Sequence, residues 1–195
     1  GRAPEDRLAP WRRWDRFEHK AAVQDLVLTL QRHAPQAPEL EDFAERFERD
    51  PYFASEATLR GSAVELCILL IFWLSKEAGS TYASAPREAL ALTPPVMAAL
   101  ETELGDRSPN GRIPRSILGR YLQWLFHFGE SWLTENMAAL FPQSDEQLRR
   151  AAWLGHLLHD GGPLGPKLDD LRGDYAHEMA HLADTTNDRE DYRQK

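Results

Sequence analysis

Between Trp14 and Tyr175 the apolar side chains recur every three to four positions, the spacing that gathers them on one face of an α-helix. From Trp14 the stripe runs through Phe17, Ala21, Ala22, Leu26, Leu28 and Leu30, and Leu40, Phe43, Ala44 and Phe47 repeat it with Glu and Arg opposite. The segment from Thr58 to Glu77 is apolar nearly all round, which predicts a helix covered on most sides and central to the fold. Strand patterning is missing. No stretch alternates apolar and polar residues, and Val occurs only at positions 23, 27, 64 and 96.

Breakers divide these stripes. Pro35 and Pro38, Asp50-Pro51, Gly79-Ser80, Phe141-Pro142 and Asp160-Gly161-Gly162-Pro163 read as stops. Ser108-Pro109-Asn110-Gly111 reads as a turn, because Pro fixes φ and Asn-Gly accepts positive φ. Thr93 before Pro94-Pro95 predicts a capped helix start through Val96, Ala99, Leu100 and Leu104. One helix is expected from Ile113 to Phe128 and another from Glu130 to Leu140. Ser144 with Gln147 three residues on has capping-box character and opens a helix through Leu148, Ala152, Trp153 and Leu157. Gly165-Pro166 leads to a last stripe of Leu168, Leu171, Tyr175 and Met179. The fold class that follows is all-α, an irregular multi-helix bundle or short α-solenoid of about eight to nine helices. It would occupy residues 11–183, with residues 1–10 a disordered segment or linker and 184–195 a polar, frayed tail.

Composition narrows the function classes. With 42% hydrophobic and 28% charged residues the chain is of globular type, and 195 residues suffice for one core. A net charge of −8 argues against nucleic acid, whose binders concentrate basic residues on one face. The one basic cluster, Arg12, Arg13 and Arg16 with Lys20 a turn later, and the smaller pair Arg149 and Arg150, read first as solvated helix faces. The single Cys67 lies in an apolar run; it excludes a disulfide framework within the chain and reads as a buried structural thiol. The longest apolar run, Ala63 to Leu74, is interrupted by Glu65 and falls short of the roughly 20 residues a membrane span needs. These features point to a cytoplasmic protein with no membrane partner. The opening Gly1-Arg2-Ala3-Pro4, without Met, gives the expectation of a fragment of something larger.

Helix pairs recur on a scale of about 40 residues, that of HEAT-like repeats. The segment Pro114-Arg115-Ser116-Ile117-Leu118-Gly119-Arg120-Tyr121-Leu122-Gln123-Trp124-Leu125, followed by Trp132-Leu133 and Leu140-Phe141-Pro142, resembles the irregular helical-repeat regions of large bacterial multidomain proteins, including those attached to defence modules. The resemblance covers about half the chain and transfers no functional residue. It implies a module that packs against neighbouring domains or a partner.

One motif carries chemistry. His177-Glu178-Met179-Ala180-His181 spells H-E-x-x-H, which on a helix sets both imidazoles on one face, able to share a Zn²⁺ while Glu178 activates a bound water. A third ligand is needed, and the extended signature would place a His where this chain has Asn187. Without a strand to hold substrate, the bland reading is an amphipathic terminal helix with His177 and His181 at its margin. His156 and His159 form a second pair, read as imidazoles favoured by a helix C-terminus. Trp124, Phe126, Phe128 and Trp132 could stack on bases or on a partner, but at helical spacing they read mainly as core.

Three functions remain in order of support. The first is a non-enzymatic helical interaction or scaffold module of a larger protein, needing no cofactor, with Arg12, Arg13, Arg16, Trp124 and Trp132 as candidates for partner contact. The second is a zinc-dependent hydrolase using His177, Glu178 and His181. The third is a nucleic-acid-binding helical module.

Overall fold

The computed structural model describes residues 19–38, 41–77, 90, 93–159 and 176. Among them the protein is all-α, a multi-helix bundle with no strand. The elements are α1 (Lys20–His33), α2 (Phe43–Arg49), α3 (Pro51–Glu56), α4 (Leu59–Glu77), α5 (Pro94–Gly105), a 3-10 turn at Pro109–Gly111, α6 (Arg112–Arg120), α7 (Leu122–Phe128), α8 (Glu130–Leu140) and α9 (Glu146–His159).

The core gathers the buried faces of α4, α5, α6, α7, α8 and α9. Val64, Cys67, Ile68 and Ile71 of α4 meet Val96, Leu100 and Leu104 of α5, Ile117 and Leu118 of α6, and Trp153 of α9. Phe141 and Trp153 lie ring to ring at 4.5 Å. Phe43 and Phe47 of α2, Ala54, Ile113 and Ala151 form a smaller satellite. Helices distant in sequence pack on one another, α3 against α6 and α9 and α1 against α5, which makes this a bundle.

Five local readings change. Asp50-Pro51 does not only stop a helix; it starts α3, with Pro51 in the first turn and the Asp50 carboxylate accepting from the Phe53 N–H at 3.1 Å. The stripe from Ile113 to Phe128 is two helices, parted at Tyr121. The cap of α9 is Asp145 rather than Ser144: its carboxylate accepts from Leu148 N–H, and the helix begins at Glu146. Thr93 does precede α5, but its hydroxyl donates back to the Leu90 carbonyl instead of capping. At the turn Gly111 is needed for space rather than for positive φ. Its φ is −62°, and a Cβ there would stand 2.3 Å from the Asp106 carbonyl oxygen.

The tightest crossing joins α6 to α9 through two glycines. A Cβ on Gly119 would meet the Ala152 carbonyl oxygen at 2.0 Å, and one on Gly155 the Ser116 carbonyl oxygen at 2.1 Å. The two backbones thus approach reciprocally, as only hydrogen in place of Cβ allows. Ser116, fully buried here, donates to the Ile113 carbonyl at 2.9 Å, and its oxygen lies 2.7 Å from the Ser55 hydroxyl of α3.

This crossing gives a stability prediction. Gly155→Ala must push α6 and α9 apart and should lower unfolding free energy by about 1–3 kcal/mol, the usual cost of overpacking. Gly105→Ala, where a Cβ meets nothing within 4 Å, should be neutral or stabilising. Urea unfolding followed by circular dichroism compares the two. Equal midpoints would mean that α6 and α9 do not cross at this distance.

Candidate functional site

Two features of the described surface stand out, a polar cleft and an apolar face, on opposite sides of α1. The cleft lies between α1, the start of α4 and α5, encloses about 580 Å³, and has Asp25, Gln31, Arg60, Thr102, Glu103 and Asp106 among its lining residues. Its floor is a buried ion pair: Arg60 and Glu103 are 2% and 3% exposed. The Arg60 guanidinium donates to Glu103 Oε2 through Nε at 2.8 Å and Nη2 at 2.6 Å, and to Asp106 Oδ2 through Nη1 at 2.8 Å. Gln31 Nε2 donates to the other Glu103 oxygen at 2.8 Å, which ties α1 to α5. Burial works to raise the Asp106 pKa, but hydrogen bonds from Ser108 and Arg60 outweigh it and hold the carboxyl below its usual range. Every charge on the floor has a partner inside the fold, so the cleft floor is built as a joint.

A second buried cation stands next to it. Among the described residues Arg115 of α6 is hydrogen-bonded to no carboxylate; it donates to the carbonyls of Leu104 (2.6 Å), Asp106 (2.8 Å), Gly111 (2.8 Å) and Ala139 (3.1 Å). These are carbonyls at the ends of α5 and α8 and in the turn between α5 and α6, where helices leave acceptors unsatisfied and the dipole favours a cation. Burial pulls the guanidinium pKa down to about 10, which leaves it charged at neutral pH.

The opposite side of α1 is apolar. Leu26 is 58% exposed and Leu30 46%, while on α4 Leu59 is 63%, Leu66 38% and Leu69 43% exposed. The expectation of a central, covered α4 therefore holds for only part of its circumference. Ala63, Val64, Cys67, Ile68, Leu70 and Ile71 are buried, whereas Leu59, Leu66 and Leu69 form a stripe at steps of seven and three. A groove of about 230 Å³ separates the helices, bounded by Leu30, His33 and Ala34 at the end of α1 and by Leu59, Ala63 and Leu66 at the start of α4.

A third cluster joins α3, α4 and α6–α7. Tyr52 donates to Glu65 Oε1 at 2.7 Å, and the Tyr121 hydroxyl donates to the same oxygen. Arg120 lies 5.8 Å from both ring centroids. Burial, reinforced by the Glu65 carboxylate, pushes the Tyr52 phenol up to about 12 and pushes Tyr121 up as well.

The residues singled out from the sequence fall as follows. Arg12, Arg13 and Arg16, and the motif residues His177, Glu178 and His181, lie outside the described residues, as do the proposed ends 1–10 and 184–195. Trp124 is half-buried and packs on Phe72 (4.8 Å) and, stacked, on Phe128 (5.8 Å). Trp132 is enclosed in the core with its indole N–H donating to Glu101 at 2.9 Å, so it offers a partner little surface. His156 is fully buried against the Trp153 ring. Cys67 is buried and its thiol pushed up to about 12, chiefly by burial, an environment unsuited to a nucleophile. Among the described residues no three His, Cys, Asp or Glu side chains converge on a metal position, and no helix is long and apolar enough to cross a membrane. Sequence reasoning did not single out Leu59, Leu66 and Leu69, because an all-apolar helix carries no mark of which side stays uncovered.

Two measurements check this account. Arg60→Met alone leaves Glu103 buried without its cation and should cost about 3–5 kcal/mol, while adding Glu103→Leu should recover much of that loss in a double-mutant cycle. Simple additivity would mean the pair is not coupled. The tyrosines report on pH. A pKa raised on folding stabilises the neutral phenol, so this contribution is complete below about pH 10 and is lost as the pH climbs through 12. Absorbance at 295 nm should show a late ionisation near pH 12 that Tyr52→Phe removes; uniform ionisation near 10 would contradict the part-buried Glu65 contact. Comparison with protein-family models, with curated proteins and with solved structures gives no match for this chain.

Proposed function

We propose that the chain is a non-enzymatic helical interaction module, docking a protein partner or neighbouring domain through the apolar face shared by α1 and α4. The observation that carries this reading is a set of five leucines on α1 and α4, Leu26, Leu30, Leu59, Leu66 and Leu69, left 38–63% exposed, of which Leu30, Leu59 and Leu66 line one groove. Single exposed leucines need no explanation, whereas exposed apolar side chains gathered beside a groove are the pattern of interaction sites. A groove between two helices suits the apolar side of an incoming helix, whose anchors repeat every three to four residues. The polar cleft supports the same reading from the other side: its ion pair is consumed in joining α1, α4 and α5, which holds the apolar face rigid from behind. The resemblance to bacterial helical-repeat regions fits a module of a larger cytoplasmic protein.

A photoreactive residue at position 59 should give discrete crosslinked adducts in cells, and one at exposed Glu135 should not. Absence of adducts from position 59 would end this reading. Leu66→Lys should leave thermal stability nearly unchanged, within about 0.5 kcal/mol, because the side chain already faces water.

A further inference from the structure

We infer that the occupant of the α1–α4 face in the free protein is the segment just ahead of α1, residues 8–17, folded back antiparallel so that Trp14, Trp11 and Leu8 cover Val23, Leu26 and Leu30. The inference rests on the reading of that face as a docking surface, and it adds that a partner gains the face by displacing this segment.

Three observations lead to it. The first is register. Residues 8–17 lie outside the described residues, but their sequence carries Leu8, Trp11 and Trp14 at steps of three. Val23, Leu26 and Leu30 stand exposed on α1 at steps of three and four. Two such stripes run in opposite directions from a turn at residues 17–19, so the anchors meet pair by pair. Pro10 suits the first turn of a helix, and on that helix Arg12, Arg13 and Arg16 fall on the side away from the two Trp, toward water. Trp is the side chain most often found anchoring an interface, and each covers roughly 150–250 Å².

The second is where α1 starts. The apolar spacing from Trp14 into α1 reads as one continuous helix, yet α1 begins at Lys20, and His19 before it has φ −109° and ψ 22°, outside the helical range. The helix is not carried through His19, so the chain ahead of it leaves the line of α1. Residues 17–19 then make a loop of the length that joins antiparallel helices. The four Cα steps from Arg16 to Lys20 reach up to about 14 Å, more than the roughly 8–10 Å between packed helix axes. The third is the tether. A segment held three residues from the face is present there at an effective concentration on the order of millimolar, which a separate partner at micromolar concentration must overcome. The other apolar stripe outside the described residues, Leu168 to Met179, follows α9, which packs chiefly on α6 rather than on α1. The segment before α1 is the one continuous with the face.

The test places a photoreactive residue at position 66 of the whole chain, irradiates the purified protein at about 5 μM, far below the effective concentration of the tethered segment, and maps the links by proteolysis and mass spectrometry. The expected product keeps the mass of one chain and joins position 66 to residues 8–17. In W11A/W14A, folded by circular dichroism, that link should fall at least roughly tenfold, because both anchors are gone. No link to residues 8–17 overturns the inference, as do links that join two chains only, links to residues 168–179 in its place, or a link that W11A/W14A leaves intact. Displacement has its own readout. In cells, adducts from position 59 should increase in W11A/W14A over the wild-type chain, and an unchanged yield overturns the competition. Absence of adducts from position 59 in both chains would end the docking reading of the preceding section, whereas adducts without any link to residues 8–17 would end this inference alone.

Discussion

The end of α5 is the joint on which the rest of the bundle depends, and two buried guanidinium groups make it. Arg60 reaches it from α4 through Glu103 and Asp106, and Arg115 reaches it from α6 through the carbonyls of Leu104 and Asp106. Arg60 also donates to the carbonyls of Gln36, just beyond α1, and Asn110, and Arg115 to that of Ala139 at the end of α8. Five helices are thereby registered by two side chains. The arrangement is costly to leave half-made: a buried charge without its partner loses far more than the intact pair gains. The pair is better understood as fixing one arrangement than as a source of large net stability.

The two guanidinium sites solve different problems. Arg60 faces carboxylates, so charge is cancelled by charge. The hydrogen bonds of Arg115 among the described residues go to carbonyls, and helix-terminal carbonyls carry partial negative charge that a planar, five-donor cation matches well. A lysine at either place would supply a charge but not the fan of donors that reaches several elements at once. The close α6–α9 crossing, held by Gly119 and Gly155, fixes α6 again one turn beyond Arg115.

Against this rigid interior the outward face of α4 is the exception. Its stripe of Leu59, Leu66 and Leu69 joins that of Leu26 and Leu30 on α1, while the polar cleft behind α1 uses its charges internally. Apolar face and structural joint are thus two sides of one helix: α1 is tied down by Gln31 and Val27 and presents its leucines on the other side. Side chains this exposed contribute little to stability, so substitutions there should leave the fold intact.

Much of the architecture was legible from periodicity alone. The stripes of α4, α5, α8 and α9 follow from residues such as Ile68, Leu100, Leu133 and Trp153, because helical spacing is a local property of the chain. The break at Tyr121 and the short α3 were not legible: the stripe from Ile113 to Phe128 keeps its helical spacing across Tyr121, and Asp50-Pro51 reads as a stop although it also caps a start. Nor could the sequence mark Arg60 or Arg115 as buried, since their partners lie 43 residues away at Glu103 and 24 away at Ala139, and a charge at helical spacing looks like a solvated one. The all-α class was written into the spacing of apolar side chains. Which side of α4 stays open, and which charges vanish into the interior, were decided only when the helices packed, because burial is a property of neighbours distant in sequence.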